Sequence, residues 1–301
     1  MDRLEAMAIL AQVVDAGSLT GAARRLGQPL PSVSRKIADL EAYLGAKLLT
    51  RSTRKLALTE AGTAYVAASR RILEQVEEAE RAASGEYSAP RGEILIAAPI
   101  VFGRLHVTPV VAEFLAVHAE IRARLLLGDR NTDLLEERID VAVRIGALPD
   151  SALTATRIGS VRRIVCGAPV YFAAHGEPAT PEDLASHACV VFDSVPGAAS
   201  WSFGRQGRAV TPRARLTVNT AEAALDAAVA GLGVTRVLSY QAADAIASGR
   251  LRRTLASFEP EPLPAHLLHD ARGPVPLKLR SFLDFSAPRL RARLAELQAA
   301  F

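Results

Sequence analysis

Residues 18–44 of the 301-residue chain hold two short helical patterns separated by a proline-rich turn, and this pairing constrains the fold more than any other feature. Val33, Ile37, Leu40 and Leu44 recur at four-, three- and four-residue spacing, a stripe that buries against preceding helices. The opposite face carries Ser34, Arg35, Ala38 and Asp39. Small residues there let the helix enter a major groove, and the Arg35 fork matches guanine O6 and N7 or a phosphate. Ser32 and Lys36 flank that face and suit phosphate contacts. Upstream, Ser18 is placed to cap a helix from Leu19 to Leu26 with Ala22, Ala23 and Leu26 inward. Gly27, Gln28, Pro29 and Leu30 read as the turn, and Pro31 stands where a first-turn proline is tolerated. A further helix over 3–14 is expected to supply Leu4, Met7, Ile9, Leu10 and Val14 to the same small core.

An amphipathic helix pair is by itself compatible with a plain structural hairpin. Here it is followed by Lys47 to Leu58, which alternates as a short hairpin bearing Arg51, Ser52, Thr53, Arg54 and Lys55, the composition of a wing that lies along a phosphate backbone. Charge points the same way. Residues 1–58 hold nine Lys and Arg against five Asp and Glu, while the rest of the chain holds 27 of each, so the whole net charge of +4 belongs to this segment. Duplex DNA is the expected partner.

Taken in order, Arg3-Leu4-Glu5, Gly17-Ser18-Leu19-Thr20, Ala22-Ala23-Arg24-Arg25-Leu26, Val33-Ser34-Arg35, Leu40-Glu41, Leu44-Gly45, Leu48-Leu49-Thr50-Arg51 and Leu58-Thr59-Glu60-Ala61-Gly62 resemble the LysR-type transcriptional regulators. The resemblance extends over the full chain. It departs where many members have a polar Ser-Gln-Ser turn into the recognition helix and this chain has Pro29-Leu30-Pro31. Leu30 is able to touch a thymine methyl but makes no bidentate adenine contact.

Thr59 is placed to cap a long helix running to about Ser84. Tyr65, Ser69, Ile72, Val76, Ala79 and Ala83 form a seam flanked by Arg70, Arg71, Glu74, Glu77, Glu78 and Glu80. Packing on its own domain and pairing with a second chain both fit that seam. The family resemblance implies a linker-helix homodimer and a dimer of dimers, so a homotetramer, with two recognition helices meeting half-sites roughly 34 Å apart.

Residues 84–92 are rich in Gly, Ser, Ala and Pro and mark a boundary. Beyond them strands and helices alternate: strands over 93–98, 121–127, 140–145, 188–192, 214–218, 234–238 and 266–269, with helices over 109–118, near 133–137, after Asn219 and Thr220, and over 277–285 and 289–300. The fold class expected is α/β with an N-terminal all-α winged helix-turn-helix. The resemblance implies a two-lobed, periplasmic-binding-protein-like effector domain. The organisation is then a DNA-binding domain at 1–58, a linker helix and hinge at 59–90, and an effector domain at 91–301, with lobe I at 91–161 and 267–301 and lobe II at 162–266.

Ligands of open α/β sheets bind beyond the C-terminal strand ends. Those positions are Pro99, Ile100, Phe102 and Gly103 in lobe I, Arg144, Ile145 and Gly146 after a third strand, and Phe192, Asp193, Asn219 and Thr220 in lobe II. Backbone N–H groups after Ile100 and Thr220, with Arg144, suit a small organic anion. Each of these residues alone is equally consistent with ordinary loop or capping duty.

Enzymatic constellations are missing from the sequence. Gly231-Leu232-Gly233 has no phosphate loop around it, and His106, His118, His175, His187, His266 and His269 form no close-spaced metal-ligand array. No serine lies in a nucleophile elbow. No enzyme activity, cofactor or metal is expected, and an architectural DNA-binding protein has no need of some 200 near-neutral α/β residues. Cys166 and Cys189 lie in apolar stretches and are expected to be buried, reduced thiols, a redox switch being the lesser alternative despite His187 near Cys189. No stretch approaches 18 consecutive apolar residues and the N-terminus lacks a signal-peptide core, so a soluble, cytoplasmic protein without a membrane partner is expected.

Overall fold

The computed structural model describes residues 2–51, 56–83, 89–129, 134, 137, 139–148, 152–193, 200–204, 207–270, 272 and 275–299. These form two compact units, residues 1–88 and 89–301.

The first unit opens with α1 (Arg3–Asp15), capped by the Asp2 carboxylate, which accepts from the Leu4 and Glu5 N–H groups at 2.9 and 3.3 Å. Helices α2 (Leu19–Leu26) and α3 (Leu30–Leu44) follow. Ser18 caps α2 by accepting from Gly21 N–H at 3.0 Å, and Gly27 ends it in the left-handed region at φ 63°. Leu30, expected in the turn, is instead the first residue of α3. The reason is the Pro29 carbonyl, which accepts from both Ser32 and Val33 N–H and closes the first helical turn one residue earlier. Val33, Ile37 and Leu40 are buried with Ala6, Ile9, Leu10, Val13, Ala22 and Ala23. Leu4 is exposed, so Ala6 and Val13 fill the inner positions that Leu4 was expected to share.

Strands β1 (Leu49–Arg51) and β2 (Leu56–Leu58) pair antiparallel. Glu41 fixes the approach to them. Its carboxylate, 8% exposed, accepts from Leu48 N–H at 2.9 Å, Leu49 N–H at 3.1 Å and Lys47 Nζ at 2.8 Å. Next comes α4 (Glu60–Ala83), whose cap Thr59 accepts from Gly62 N–H at 2.9 Å and donates to the Lys47 carbonyl at 2.6 Å. A Cβ at Gly62 would lie 2.0 Å from the Leu48 carbonyl oxygen, so only glycine lets α4 pass so close.

The second unit holds two five-stranded mixed sheets, one per lobe. Lobe I contains β3 (Gly92–Ala98), a helical run over Ile100–Val117, β4 (Ile121–Leu127), β5 (Val141–Ile145) and β6 (Leu153–Val161). The run comprises α5 (Ile100–Phe102), a π-helical stretch at Gly103–Val107, and α6 (Thr108–Val117). Lobe II contains β7 (Arg163–Gly167), α7 (Pro169–His175), β8 (Cys189–Phe192), the hairpin β9 (Trp201–Phe203) and β10 (Arg208–Val210), β11 (Ala214–Val218), α8 (Ala221–Val229), β12 (Val234–Leu238), α9 (Ser239–Ala247) and β13 (Arg252–Thr254). The chain returns to lobe I through β14 (Leu263–Asp270) and ends in α10 (Leu277–Ala299).

The sheet orders are β4-β3-β5-β14-β6 and β11-β8-β12-β7-β13. The chain crosses between lobes after β6 and before β14, which lie antiparallel in the lobe I sheet from Leu263 against Val161 to Asp270 against Leu153. Lobe I buries Ile94, Ile96, Val141, Val143, Ala265 and Leu267 against Val110, Phe114, Phe282 and Leu290. Ile100–Val117 is long and apolar enough to cross a membrane by composition, yet Val110, Val111 and Phe114 are buried within this lobe. The C-terminal pattern, expected as two helices, is one, with Pro288 inside it. Buried Phe282, Ser286, Ala287, Leu290 and Leu294 continue across the proline, so packing on lobe I holds the helix together where propensity alone would interrupt it. The helix expected near 133–137 falls mostly outside the described residues.

Candidate functional site

On α3 the buried stripe leaves Leu30 41% exposed and Pro31, Arg35, Ala38 and Asp39 exposed, with Ser32, Ser34 and Lys36 half-buried. Arg35 thus stands on the exposed face with Pro31, Ala38 and Asp39, Ser32, Ser34 and Lys36 lie along its flanks, and Leu30 opens the helix at its N-terminal end. Lys36 is not idle there, because its ammonium pairs with the Glu5 carboxylate of α1. Of the wing residues, Ser52, Thr53, Arg54 and Lys55 lie outside the described residues, as does the Arg51 side chain. Glu41, not anticipated as a site residue, is what joins the end of α3 to the start of the wing. Burial alone would raise its pKa, but the Lys47 ammonium and the Leu49 and Leu48 N–H groups together hold it below the ordinary value.

The seam on α4 is divided. Tyr65, Val66 and Ser69 pack on the core of their own domain, with Val66 and Ser69 fully buried, and Arg70 pairs with Asp15 of α1. Ile72, 39% exposed, begins the part of the seam left outside that core. The first two turns of the expected dimer seam are thus occupied by α1, because the linker helix must also dock on the domain that it carries.

In the second unit the strand ends converge as the topology requires. Phe102, Ile145, Phe192, Leu238, Ala221 and Tyr240 belong to one apolar cluster that spans both lobes. Phe102 and Tyr240 meet edge to face at 5.3 Å between centroids, and His106, in the π-helical stretch, packs against both rings at 4.9 and 5.7 Å. Pro99 precedes α5, and Thr220 caps α8 by accepting from Ala223 N–H at 3.3 Å. Gly103 packs under Leu127, whose flexible side-chain end, Cδ2, would lie 2.2 Å from a Cβ there. Gly146 stands at φ 116° with its N–H on the Pro264 carbonyl, and Asn219 is exposed.

One expectation for the cleft changes, and another gains a charged neighbour. Ile100 N–H donates to Asp129 Oδ1 at 3.1 Å, because the turn after β4 returns a carboxylate to the start of α5, next to the N–H groups after Ile100 that are expected to suit an anion. Arg144 is not brought together with Phe102. Strand alternation puts it with Ala142 and Leu268 on the sheet face covered by Leu134 and Ile139, with Glu137 acting on its charge, whereas Val143 shares the core of Phe102.

Asp129, Glu222, Tyr240 and His106 are cleft residues that the sequence reading did not single out. The only signal was position, each lying just beyond a strand end or in the first turns of the helix that follows. Burial, with the Glu222 charge, raises the Asp129 pKa against the lowering effect of Ile100 N–H. Burial and Arg293 lower His106 to about 4, so its imidazole is neutral near pH 7. Cys166 and Cys189 are buried free thiols, pushed by burial up to about 12 and about 11, well outside thiolate chemistry near neutrality.

A winged helix-turn-helix carrying a separate two-lobed α/β binding unit defines a ligand-responsive DNA-binding regulator. Comparison gives the family. Residues 4–63 match the model of the bacterial regulatory helix-turn-helix protein, lysR family, and residues 88–291 match the LysR substrate binding domain. The chain belongs to the LysR family of transcriptional regulators. It is 35% identical over 288 residues to an HTH-type transcriptional regulator of Xanthomonas campestris pv. campestris, covering 94% of this chain and 84% of that one. It is 30% identical over 286 residues to the HTH-type transcriptional activator AaeR of Escherichia coli, covering 94% and 93%. Among solved structures it resembles CrgA, a LysR-type regulator from Neisseria meningitidis, with TM-score 0.62, 30% identity, and 95% and 98% of the two chains covered.

Proposed function

We propose that this regulator binds pseudo-palindromic promoter DNA as an oligomer through Leu30, Ser32, Ser34, Arg35 and Lys36 of the recognition helix, with Arg51, Ser52, Thr53, Arg54 and Lys55 along the phosphates. Arg35 reads a base edge, and the exposed part of α4 pairs two chains into a linker-helix homodimer that assembles further to a tetramer. A small-molecule effector occupies the interlobe cleft at Pro99, Ile100, Phe102, Gly103, Ile145, Gly146, Phe192, Asn219 and Thr220. Arg144 and the β5 end act from the far sheet face. The effector shifts the balance between lobe arrangements by its differential affinity for them. The protein works in the cytoplasm, where its DNA is, and performs no catalysis.

The observation that carries this reading is the outward face of α3, where Leu30 and Arg35 stand exposed over a fully buried Val33, Ile37 and Leu40. The test is a quantitative footprint on DNA flanking the protein's own gene, at two salt concentrations against scrambled competitor. A symmetric protected site with steep salt dependence is expected. Absence of preference over the competitor on genome-wide fragments would sink the reading.

A further inference from the structure

The cleft contains a hydroxyl with nowhere to go. Tyr240 is 2% exposed, and its Oη makes no hydrogen bond among the described residues. The Gln241 side chain, whose Oε1 accepts from Leu238 N–H at 2.8 Å, acts on the Tyr240 hydroxyl as a hydrogen-bonding neighbour but does not reach hydrogen-bond geometry with Oη. Around the same hydroxyl stand the carboxylates of Asp129 and Glu222, both acting on its charge, and the ring of His106, whose Nε2 is likewise buried without a partner. An orphaned buried hydroxyl costs about 1–3 kcal/mol and implies a missing partner.

The surroundings state what that partner carries. Side chains already stand at both helix N-termini: Asp129 accepts from Ile100 N–H, and Thr220 accepts from Ala223 N–H, so an incoming carboxylate meets the Asp129 charge at α5 and the Glu222 charge in the first turn of α8. Neither Asp129 nor Glu222 has an ion-pair partner among the described residues, and His106 is neutral. Arg293, the cation that acts on His106, is committed to Glu113 at 3.1 Å. Two carboxylates acting on a hydroxyl whose ring packs in the cluster of Phe102, Phe192 and Leu238 repel an anion and attract a cationic donor.

Building on the reading of the cleft as the effector site, we propose that its part near Asp129, Glu222, Tyr240 and His106 takes an organic amine: a protonated nitrogen shared by the two carboxylates and the Tyr240 hydroxyl, with an aromatic or aliphatic body against Phe102. Asp129 then does two things, holding the start of α5 with one oxygen and leaving the other for the ligand.

The test uses the full-length protein and charge-matched pairs of equal body: benzylamine against benzoate, 2-phenylethylamine against phenylacetate, and hexylamine against hexanoate, by calorimetry and thermal shift. At least one amine is expected to bind saturably and raise Tm, with its carboxylate at least tenfold weaker. Asp129→Asn, which keeps an oxygen for Ile100 N–H, and Glu222→Gln should each weaken the amine at least tenfold. Tyr240→Phe should raise the Tm of the unliganded protein while weakening the amine. Preference for the carboxylate in any pair, amine binding indifferent to both neutralised variants, or no saturable amine in any pair overturns the proposal. The operator footprint without ligand judges the DNA reading separately. A lost footprint with amine binding intact refutes only the regulator reading, and an intact footprint with carboxylate preference refutes only the amine.

Discussion

Helix N-termini are treated in opposite ways in the two units. The recognition helix α3 begins after Pro29 with no side chain bonded to its first turn and no acidic residue in it. At the cleft, α5 is met by the Asp129 carboxylate, and α8 is capped by Thr220 with Glu222 in its first turn. An uncapped N-terminus presents the positive end of the helix dipole to an incoming phosphate, whereas a capped one with carboxylates nearby has already spent that field. One chain thus displays a helix end without a side-chain cap where DNA is expected and ends attended by a carboxylate or a capping hydroxyl where a small molecule is expected. The same backbone feature serves two ligand charges, and the side chains around it choose between them.

Four experiments break or sharpen this contrast. The largest effect is expected from Glu41→Ala, which strips the partner of two buried N–H groups at the junction of α3 and the wing. Loss of roughly 3 kcal/mol of stability in chemical denaturation is expected. Because the folded pKa of Glu41 lies below the ordinary 4.5, its stabilisation is fully present above that value. It disappears as pH falls from 4.5 through the lower folded pKa, a loss that the alanine variant should not show over that window. A variant as stable as the parent would mean that the wing is held by other contacts.

Next, Arg35→Ala should cost about 1–3 kcal/mol on a specific operator and relax preference at one base position. Uniform weakening on all sequences would reassign Arg35 to the backbone, making the open helix end the main anchor. Thr220→Ala should cost about 1 kcal/mol in stability through loss of the α8 cap. It should also improve the relative affinity of a carboxylate over its matched amine, and an unchanged ratio would show that the cap does not set the charge preference. Smallest is Glu5→Ala, which frees Lys36 from its ion pair. The salt dependence of DNA binding should steepen by about one charge, with little change in sequence preference. An unchanged slope would place Lys36 away from the phosphates.

What could be read beforehand tracks how local the cause is. The α3 stripe follows from a single 3.6-residue period within 15 residues, and β4, β11 and β12 were bounded correctly because alternating or continuous apolar runs end at turn residues. Position beyond a strand end was enough to place Phe102 and Phe192 in the apolar cluster that spans the lobes and Thr220 at the cap of α8. It was not enough for Asp129, because the carboxylate matters only once the turn after β4 swings it to a helix beginning 29 residues earlier. Tyr240 and His106 meet only when lobe II is laid on lobe I, a contact between residues distant in sequence that no periodicity encodes. Pro288 misled for the converse reason: a local breaker was overridden by Phe282, Leu290 and Leu294 packing on either side. The α4 seam was read as one stripe, although a single 3.5-residue pattern serves a domain core at Tyr65 and Ser69 and a separate outward stretch from Ile72.

The paired crossing of β6 and β14 has a mechanical meaning. Arg162 alone separates β6 from β7, and it is clamped to the start of α9, its N–H donating to Ser239 Oγ at 3.2 Å and its carbonyl accepting Ser239 N–H at 2.8 Å. Beside it Leu263 enters β14 in register with Val161. Both strands belong to the lobe I sheet, so the passages to lobe II are Arg162 and the stretch before Leu263, which leave that sheet side by side. The lobes are therefore joined like a book at its spine, with one soft coordinate. Two adjacent passages at one sheet edge favour turning about that edge over sliding along it, so the connection itself narrows the ways in which the lobes can rearrange.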